Sequence, residues 1–199
     1  MAEIEEKILE TPLDKNILKT FKVGDVIRIS GIVYTLRDKA HQRAITLYKE
    51  KKKTPVDLKN AAIIHCGPIA KKTSGKWKIV SAGPTTSMRL EKLENEFIRY
   101  SNVGMIIGKG GMGKSTARAC KKFGAIYCIF PGGAGALAAS YVKNVKNVFW
   151  LEELGMPEAL WVFEVENFGP LIVTIDTNGE NLTEEIKAKA REKISSYIR

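Results

Sequence analysis

Two threonine hydroxyls and a guanidinium follow a Gly-Pro turn near the middle of the chain. Residues 81–89 read SAGPTTSMR and lie between two apolar runs. Hydroxyl and guanidinium groups this close together can orient a carboxylate and move a proton. The segment holds no strong acid, thiol or metal ligand. We therefore interpret it as one part of an active site rather than the whole of one.

A phosphate-loop motif, G-x-x-x-x-G-K-[ST], is complete between Gly108 and Ser115. The motif predicts a strand before it and a helix after it, with Lys114 neutralising phosphate charge and Ser115 reaching magnesium. Asp176, at the end of an apolar run, could bind the same metal. The loop lies past the middle of the chain, however, and residues 177–179 after Asp176 are typical of a turn. An ATPase stays open as an alternative function.

The order of apolar runs and glycine turns predicts a β-rich first part and then alternating helices and strands. Strands are predicted at residues 23–35, 61–66, 77–82, 103–107, 125–130, 145–151, 161–165 and 171–176. Helices are predicted at residues 38–50, 90–100, 115–123, 136–142 and 184–198. Strands that alternate with helices indicate an α/β domain with parallel pairing, on which the first part forms a second layer.

Composition narrows the possible partners. Hydrophobic residues make up 44% of the chain and charged residues 27%, as in ordinary soluble proteins. The net charge of +10 comes from scattered lysines without interleaved aromatic residues, so we expect small anions rather than nucleic acid. No apolar run could span a bilayer, and residues 1–7 lack a signal core, so we expect no membrane and a cytoplasmic location. The 3 cysteines are expected to be free thiols.

Several segments, taken together, resemble the β subunit of two-subunit class I fumarate hydratases and of the related L-tartrate dehydratases. The matching segments are residues 31–41 (GIVYTLRDKAH), 65–68 (HCGP), 82–89 (AGPTTSMR), 108–112 (GKGGM), 132–138 (GGAGALA), 153–161 (ELGMPEALW) and 164–171 (EVENFGPL). They occur in order over nearly the whole chain. The resemblance is therefore far more specific than the phosphate-loop match alone.

The resemblance implies a three-layer swivelling β/β/α domain of the α/β class, with a mixed sheet and a parallel core. One domain would span residues 1–199, with a lead-in segment at 1–20 and a C-terminal helix at 184–199. The implied enzyme is a hydro-lyase that reversibly hydrates fumarate to L-malate, and an L-tartrate dehydratase β subunit is the alternative. The chain would act only in a hetero-oligomer with an α subunit, with a homodimer as the alternative for the isolated chain.

The resemblance also implies a [4Fe-4S] cluster in the α subunit, held by cysteines with one iron open as a Lewis acid. This chain is then expected to bind no metal or cofactor itself. Its own cysteines agree with that expectation, because cluster ligands normally group on loops at short spacing. Cys120 instead falls in a predicted helix and Cys128 in a predicted strand, with Cys66 apart from both.

Site roles follow from the resemblance residue by residue. Arg37, Arg89 and Lys109 match the ligands of the substrate carboxylate, Arg37 being counted as catalytic too. Thr85 matches the catalytic base, which needs an activating partner because a threonine hydroxyl is a poor base. Gly110 would let the substrate approach the backbone closely. Ordinary surface ion pairing stays open as the alternative for the cations.

Structural roles are the alternatives for the remaining polar residues. Thr85 could cap the following helix, although we assign that cap to Thr86 or Ser87. His41 is predicted to be a structural helix residue with local hydrogen bonds. The role of His65, at a strand end, stays open, as does the preferred diacid.

Overall fold

The computed structural model describes residues 6–197, so the first five residues of the lead-in and the last two of the terminal helix lie outside the described residues. The strands are β1 (Glu6–Glu10), β2 (Val26–Thr35), β3 (Ala62–Ile64), β4 (Ile69–Thr73), β5 (Lys76–Ser81), β6 (Met105–Gly108), β7 (Ile126–Ile129), β8 (Val142–Phe149) and β9 (Leu160–Ile175). The α-helices are α1 (Lys15–Leu18), α2 (Asp38–Lys49), α3 (Glu91–Ser101), α4 (Lys114–Phe123), α5 (Gly135–Ser140), α6 (Leu151–Leu154) and α7 (Leu182–Tyr197). A 3-10 turn, Ser87–Leu90, leads into α3.

Parallel strands form the core of the main sheet. Its order is β1-β2-β3-β6-β7-β9-β8, in which β1, β2, β3, β6 and β7 run parallel. β9 pairs antiparallel with β7 and β8, and also with β2. The strands β2, β3, β6, β7 and β9 therefore close into a ring. The predicted α/β class and the mixed sheet with a parallel core are confirmed.

Alternating side chains divide the core between the two faces of this sheet. Ile63, Ile106 and Tyr127 of neighbouring strands face helices α2, α3 and α4. The next residues along these strands, including Ile64 and Ile107, face the other side of the sheet. There the β4–β5 hairpin, α5 and β9 contribute the apolar residues. This alternation follows from the two-residue period of a strand. It gives the layering of helices on one face and β-rich structure on the other that the resemblance implies.

The long strand β9 corrects one prediction. The sequence predicts two strands, at residues 161–165 and 171–176, separated by Gly169-Pro170, but the structure has one strand. Its register against β2 shifts between Ile27 and Ile29, which leaves Gly169 and Pro170 in a bulge. A proline has no N–H to donate and is tolerated at such a bulge. The Gly-Pro pair therefore bends the strand without ending it.

Several other elements differ from the predictions: strand β1 and helix α6 were not predicted, and strand β8 begins before the predicted residue 145. Strand β4 was not predicted, because its side chains are mostly exposed lysines and threonine rather than an apolar run. Helix α5 ends at Ser140, and the chain is already in strand β8 at Val142. Helices α2, α3 and α4 agree closely with prediction, and α4 ends where Gly124 adopts a φ of +68°. No helix of the described part has the length and apolar character to cross a membrane.

The carboxyl ends of the parallel strands gather the predicted site at one edge of the sheet. Arg37 follows β2, Gly67 follows β3, Lys109 follows β6 and Gly132 follows β7. Strands that run parallel end at the same edge, and ligands of α/β sheets, open or closed, bind at the carboxyl ends of the strands. The turn that carries Thr85 reaches the same edge, since the backbone of Thr86 bridges to that of Lys109.

Candidate active site

Arg37, Asp38, Arg89 and Thr85 form one connected group, in which Arg89 contacts both Asp38 and Thr85. The Nη2 atom of Arg89 donates to Asp38 Oδ2 at 3.0 Å and to Thr85 Oγ1 at 3.0 Å. The Nε atom of Arg37 lies 3.9 Å from the same Asp38 oxygen. The Arg89 side chain is 47% exposed, so the cluster is open to the surface. Residues from two separate turns thus form one group that combines two cations and a hydroxyl.

Arg37 is oriented by groups outside its own turn. Its Nε atom lies 3.4 Å from Glu158 Oε1, and the other oxygen of Glu158 accepts the backbone N–H of Lys39 at 2.9 Å. A Cβ atom at Gly67 would lie 2.7 Å from Arg37 Cδ, so the absence of a side chain there makes room for the arginine. Glu158 was not among the predicted site residues, although it lies within a segment that carries the resemblance.

Lys109 joins the cluster through its backbone. Its N–H donates to Ser87 Oγ at 3.1 Å, and its carbonyl accepts from Ser87 N at 3.1 Å. Among residues 6–197, no carboxylate lies within ion-pair distance of its Nζ atom. Gly110, next to it, adopts a φ of +72° with open space where a Cβ would project. The lysine is thus a cation without a countercharge beside an accessible backbone.

The predicted cap roles of Thr86 and Ser87 are wrong. Thr86 precedes the 3-10 turn but makes no side-chain cap hydrogen bond. Ser87 is fully buried, and its Oγ contacts His65 Nδ1 at 2.9 Å instead of a helix N–H. The Ser87 hydroxyl thus points into the core, where it joins a polar network. The possible cap role of Thr85 is also not seen, because its Oγ1 accepts from Arg89.

A buried polar chain runs beneath the exposed cluster. His65 Nε2 lies 3.2 Å from Glu94 Oε2, and His41 Nε2 lies 3.7 Å from the same oxygen. The Nδ1 atom of His41 faces the carbonyl oxygen of Arg37 at 3.1 Å, which confirms the local hydrogen bond predicted for this histidine. Both histidines and Glu94 are completely buried. The contacts between the Nε2 atoms and Glu94 are close charge contacts rather than aligned hydrogen bonds, because within the described residues neither Nε2 atom nor either Glu94 oxygen has a hydrogen-bond partner of good geometry.

Burial and neighbouring charge have opposing effects on the pKa values of these buried residues. Burial lowers the pKa of His65, and this outweighs the opposing effect of Glu94, so the ring is neutral near pH 7. Burial favours the neutral form of Glu94, but the facing His65 and His41 outweigh it and lower the pKa of the carboxyl to about 2. Glu94 is therefore an ionised group that only accepts hydrogen bonds.

The same three buried side chains are residue types that bind Zn²⁺. One ligand atom from each of His41, His65 and Glu94 lies within 4.8 Å of the others. Structural zinc takes four ligands, whereas this set offers three fully buried ones. An ionised carboxylate that faces the Nε2–H group of His65 and lies near the ring of His41 accounts for the same contacts. We therefore describe the set as a buried cluster of charge contacts, and nitrogen-15 NMR of the two histidines distinguishes it from a metal site.

The phosphate-loop segment already holds an anion from the chain itself. Glu91 accepts from the backbone N–H groups of Gly113, Ser115 and Thr116 at 2.7, 2.9 and 3.2 Å, and from Thr116 Oγ1 at 2.6 Å. These are the amides of a helix N-terminus on which phosphate would bind. Lys114 is exposed to solvent. A carboxylate in this place counts against the ATPase alternative.

Asp176, which the ATPase alternative needs for magnesium, closes a turn instead. Its Oδ1 accepts from the N–H groups of Asn178 at 2.8 Å and Glu180 at 3.1 Å. Gly179 N donates to the Asp176 carbonyl at 3.0 Å. The turn predicted after the last strand is confirmed, and the carboxylate serves that turn.

We expect Glu91→Ala to lower the free energy of unfolding by about 2–4 kcal/mol, because it strips several amides of α4 of their acceptor. Chemical denaturation of the purified chain measures this loss. Glu96→Ala is the matched control on the same helix, since Glu96 forms only a surface pair with Lys49 at 2.8 Å, and such pairs contribute less than about 1 kcal/mol. Equal losses in the two variants would contradict the capping role.

Of the two buried acceptors of the site, Glu94 and Ser87, only Glu94 could have been found from the sequence. Glu94 follows Leu90 by four residues and precedes Phe97 by three, which places a charge on the apolar stripe of α3. A charge in that position is costly unless it is paired. Ser87 gave no such signal, because a serine after a threonine pair is also a good helix cap. Its role became visible only when β3 and β6 brought His65 and Lys109 to it.

Known proteins are similar to the chain over nearly its whole length. The family model described as the fumarase C-terminus matches residues 2–186. The chain is 50% identical over 196 residues to the L(+)-tartrate dehydratase subunit beta of Escherichia coli K12, covering 97% of this chain and 96% of that one. It is 47% identical over 186 residues, 94% of this chain and 95% of the other, to a Methanocaldococcus jannaschii protein provisionally given the same name.

A longer protein shows the same relationship. A Geobacillus stearothermophilus protein provisionally named a class I fumarate hydratase is 38% identical over 190 residues, which is 95% of this chain and 36% of that protein. The β subunits match end to end, whereas the longer protein contains the equivalent of this chain as one part. Because the family model covers most of the chain and the β-subunit relatives match it almost end to end, the chain belongs to the fumarase C-terminus family.

Proposed function

We propose that the chain is the β subunit of a hydro-lyase that acts on a small dicarboxylate, with L-tartrate as the first candidate and fumarate as the second. One observation carries the proposal: Arg37, Arg89 and the Thr85 hydroxyl form one group at the carboxyl ends of the parallel strands, where the backbone of Thr86 also pairs with that of Lys109. On the resemblance alone, fumarate was the first candidate substrate and L-tartrate the alternative. The relatives at 47% and 50% identity carry the tartrate name and favour L-tartrate, whereas the 38% relative keeps fumarate as a candidate.

In such a reaction the cations would bind the carboxylate on which charge develops. A proton leaves the carbon beside that carboxylate and the hydroxyl leaves the neighbouring carbon, so that one water is lost. The carboxylate takes up the negative charge as an aci-carboxylate. Arg37 and Arg89 offer planar forks that bind carboxylates in two places at once. Fixed cations that are already oriented, here by Asp38 and Glu158, stabilise this charge without reorganising.

Thr85 would take the proton. Its Oγ1 accepts a hydrogen bond from Arg89 at 3.0 Å, and a cation beside an oxygen favours the ionised form of that oxygen. Arg89 would thereby serve both the base and the substrate. An arginine cannot itself remove the hydroxyl proton of the threonine, so the base needs an additional acceptor from a partner.

We propose an α subunit as that partner. The exposed position of Arg89 leaves the cluster open to water, whereas stabilising a carbanion-like charge needs a dry site. The named relatives that match end to end are β subunits. A second subunit that covers this edge would exclude water and supply the acceptor for Thr85.

We also propose that a [4Fe-4S] cluster is held by the α subunit, where it would supply the Lewis acid for the departing hydroxyl. The thiols of this chain do not fit a cluster. Burial raises the pKa of Cys66 to about 12 and raises the pKa values of Cys120 and Cys128 well above the usual range. Cluster ligands are thiolates, and these cysteines are protonated thiols buried on separate elements.

Anaerobic co-expression with a candidate α subunit tests the proposed function. The purified complex is assayed for dehydration of L-tartrate and for hydration of fumarate, and the two kcat/KM values assign the substrate. We expect turnover by the complex and none by either subunit alone. A complex that binds but turns over neither diacid would contradict the proposed function, and iron-sulfur absorbance in the isolated β chain would contradict the cluster assignment.

A further inference from the structure

We propose that Glu94 is a positioning residue whose buried carboxylate holds the three turns of the site in register through His41 and His65. The inference rests on the proposed function for its effect on turnover. Its structural part stands on the contacts alone. Glu94 touches no residue of the exposed cation cluster directly. It reaches that cluster only through the two imidazole rings.

The first arm runs from Glu94 through His65 to Lys109. An ionised carboxylate requires a proton on His65 Nε2, so the Nδ1 atom of the neutral ring is an acceptor. Ser87 Oγ, 2.9 Å from that Nδ1, then donates its proton to the ring. The oxygen of Ser87 is left to accept the N–H of Lys109 at 3.1 Å. Every proton along this arm is assigned once the charge on Glu94 is fixed.

The backbone of His65 extends the first arm to Thr85. The N–H of Thr85 donates to the carbonyl of His65 at 2.6 Å. A single histidine therefore holds the turn of the proposed base by its carbonyl and the turn of Lys109 by its ring. Gly108 shows how tightly this is packed, because a Cβ there would lie 1.9 Å from Ser87 Oγ.

The second arm runs from Glu94 through His41 to Arg37. Nδ1 of His41 faces the carbonyl oxygen of Arg37 at 3.1 Å and therefore carries a proton. Its Nε2 atom points to Glu94 at 3.7 Å, and its ring packs on Phe97 with 4.3 Å between the ring centroids. Arg37 is thus linked to the same carboxylate as Thr85 and Lys109. One charge on α3 connects the ends of β2, β3 and β6.

This arrangement explains why a charge is kept in a helix face that is otherwise apolar. Burying a carboxylate is costly, and a purely structural position would be filled by an apolar residue of similar size. Here the charge also affects the site, because two imidazoles and a serine connect it to three separate turns that carry site residues. A displacement of about 1 Å at a catalytic group can cost about 100-fold in rate.

Nitrogen-15 NMR of the two histidines in the full chain tests the network without any enzyme assay. We expect His65 to carry its proton on Nε2 and none on Nδ1. The amide resonances of Thr85 and Lys109 are expected to shift in Glu94→Gln and Ser87→Ala. Ser101→Ala is the matched control, because Ser101 is a buried serine on the helix of Glu94 that bonds locally, to the Phe97 carbonyl at 2.7 Å and the Val103 N–H at 3.4 Å.

Kinetics of the complex test the consequence. We expect Glu94→Gln and Ser87→Ala to lower kcat by about 10- to 100-fold, while Ser101→Ala changes it less than about twofold at a similar loss of thermal stability. Equal kcat values for Ser87→Ala and Ser101→Ala would overturn the proposal. So would a proton on His65 Nδ1, or unprotonated Nε2 atoms on both rings, which would indicate a bound metal ion. An inactive wild-type complex contradicts the proposed function, and the NMR result then decides the network alone.

Discussion

Replacing Thr85 by alanine in the assembled enzyme is expected to lower kcat by about 10²- to 10⁴-fold while KM changes little. Proton transfer by a positioned group contributes a factor of this size. The hydroxyl is small and the cations Arg37 and Arg89 remain, so binding of the substrate carboxylate is retained. Steady-state kinetics of the αβ complex on L-tartrate and on fumarate measure both quantities. A loss in kcat alone identifies an interaction made only in the transition state.

Thr86→Ala is the matched control for that experiment. Thr86 is the next residue, its side chain is exposed, and it makes no side-chain cap hydrogen bond. We expect its activity to stay within about twofold of the parent, as for surface substitutions away from special contacts. Thr85→Ser should retain most of the activity, because it keeps the oxygen that accepts from Arg89. Unchanged turnover in Thr85→Ala would exclude this residue as the base.

The parts of the fold that were predicted correctly depend on local signals. Helix α4, for example, ends at a glycine, Gly124, which adopts the left-handed conformation. Buried parallel strands such as Met105–Gly108 are short apolar runs bounded by glycine. The bulged strand β9 was missed because a Gly-Pro pair looks the same in a loop and in a bulge. Only the pairing partners of the strand, which are distant in sequence, decide between the two.

The candidate site, too, was predicted only in part, because some of its contacts join residues that are distant in sequence. Arg37, Thr85, Arg89 and Lys109 were named in advance, because the resemblance carried their positions. Sequence could not show that Asp38 lies between two guanidiniums, since that contact joins residues 51 positions apart. The phosphate-loop motif was complete in sequence, but spatial information was needed to find a carboxylate from α3 on its amides. A motif gives the geometry of a loop and does not say which anion occupies it.

The second large effect is expected at Lys109. We expect Lys109→Ala to lower kcat/KM of the complex by about 10²- to 10³-fold, the size of the loss when a charge that pairs with a bound partner is truncated. Lys109 has no carboxylate partner among the residues that the structure describes, so its charge is available to the substrate. Its N–H bond to Ser87 belongs to the backbone and survives the substitution. Kinetics on both diacids, with the thermal stability of the variant, measure the loss.

Lys114→Ala is the control, and it also separates the two functions considered for this loop. Lys114 is the lysine of the phosphate-loop motif, five positions further along, and it is exposed at the start of α4. A hydro-lyase that uses the sheet edge requires Lys109 and tolerates loss of Lys114, whereas an ATPase has the opposite requirement. Nucleotide binding would also have to displace the Glu91 carboxylate from the amides of Gly113 and Ser115. Diacid turnover that depends on Lys114 but not on Lys109, together with stabilisation by ATP, would therefore contradict the assignment of the cations to a dicarboxylate.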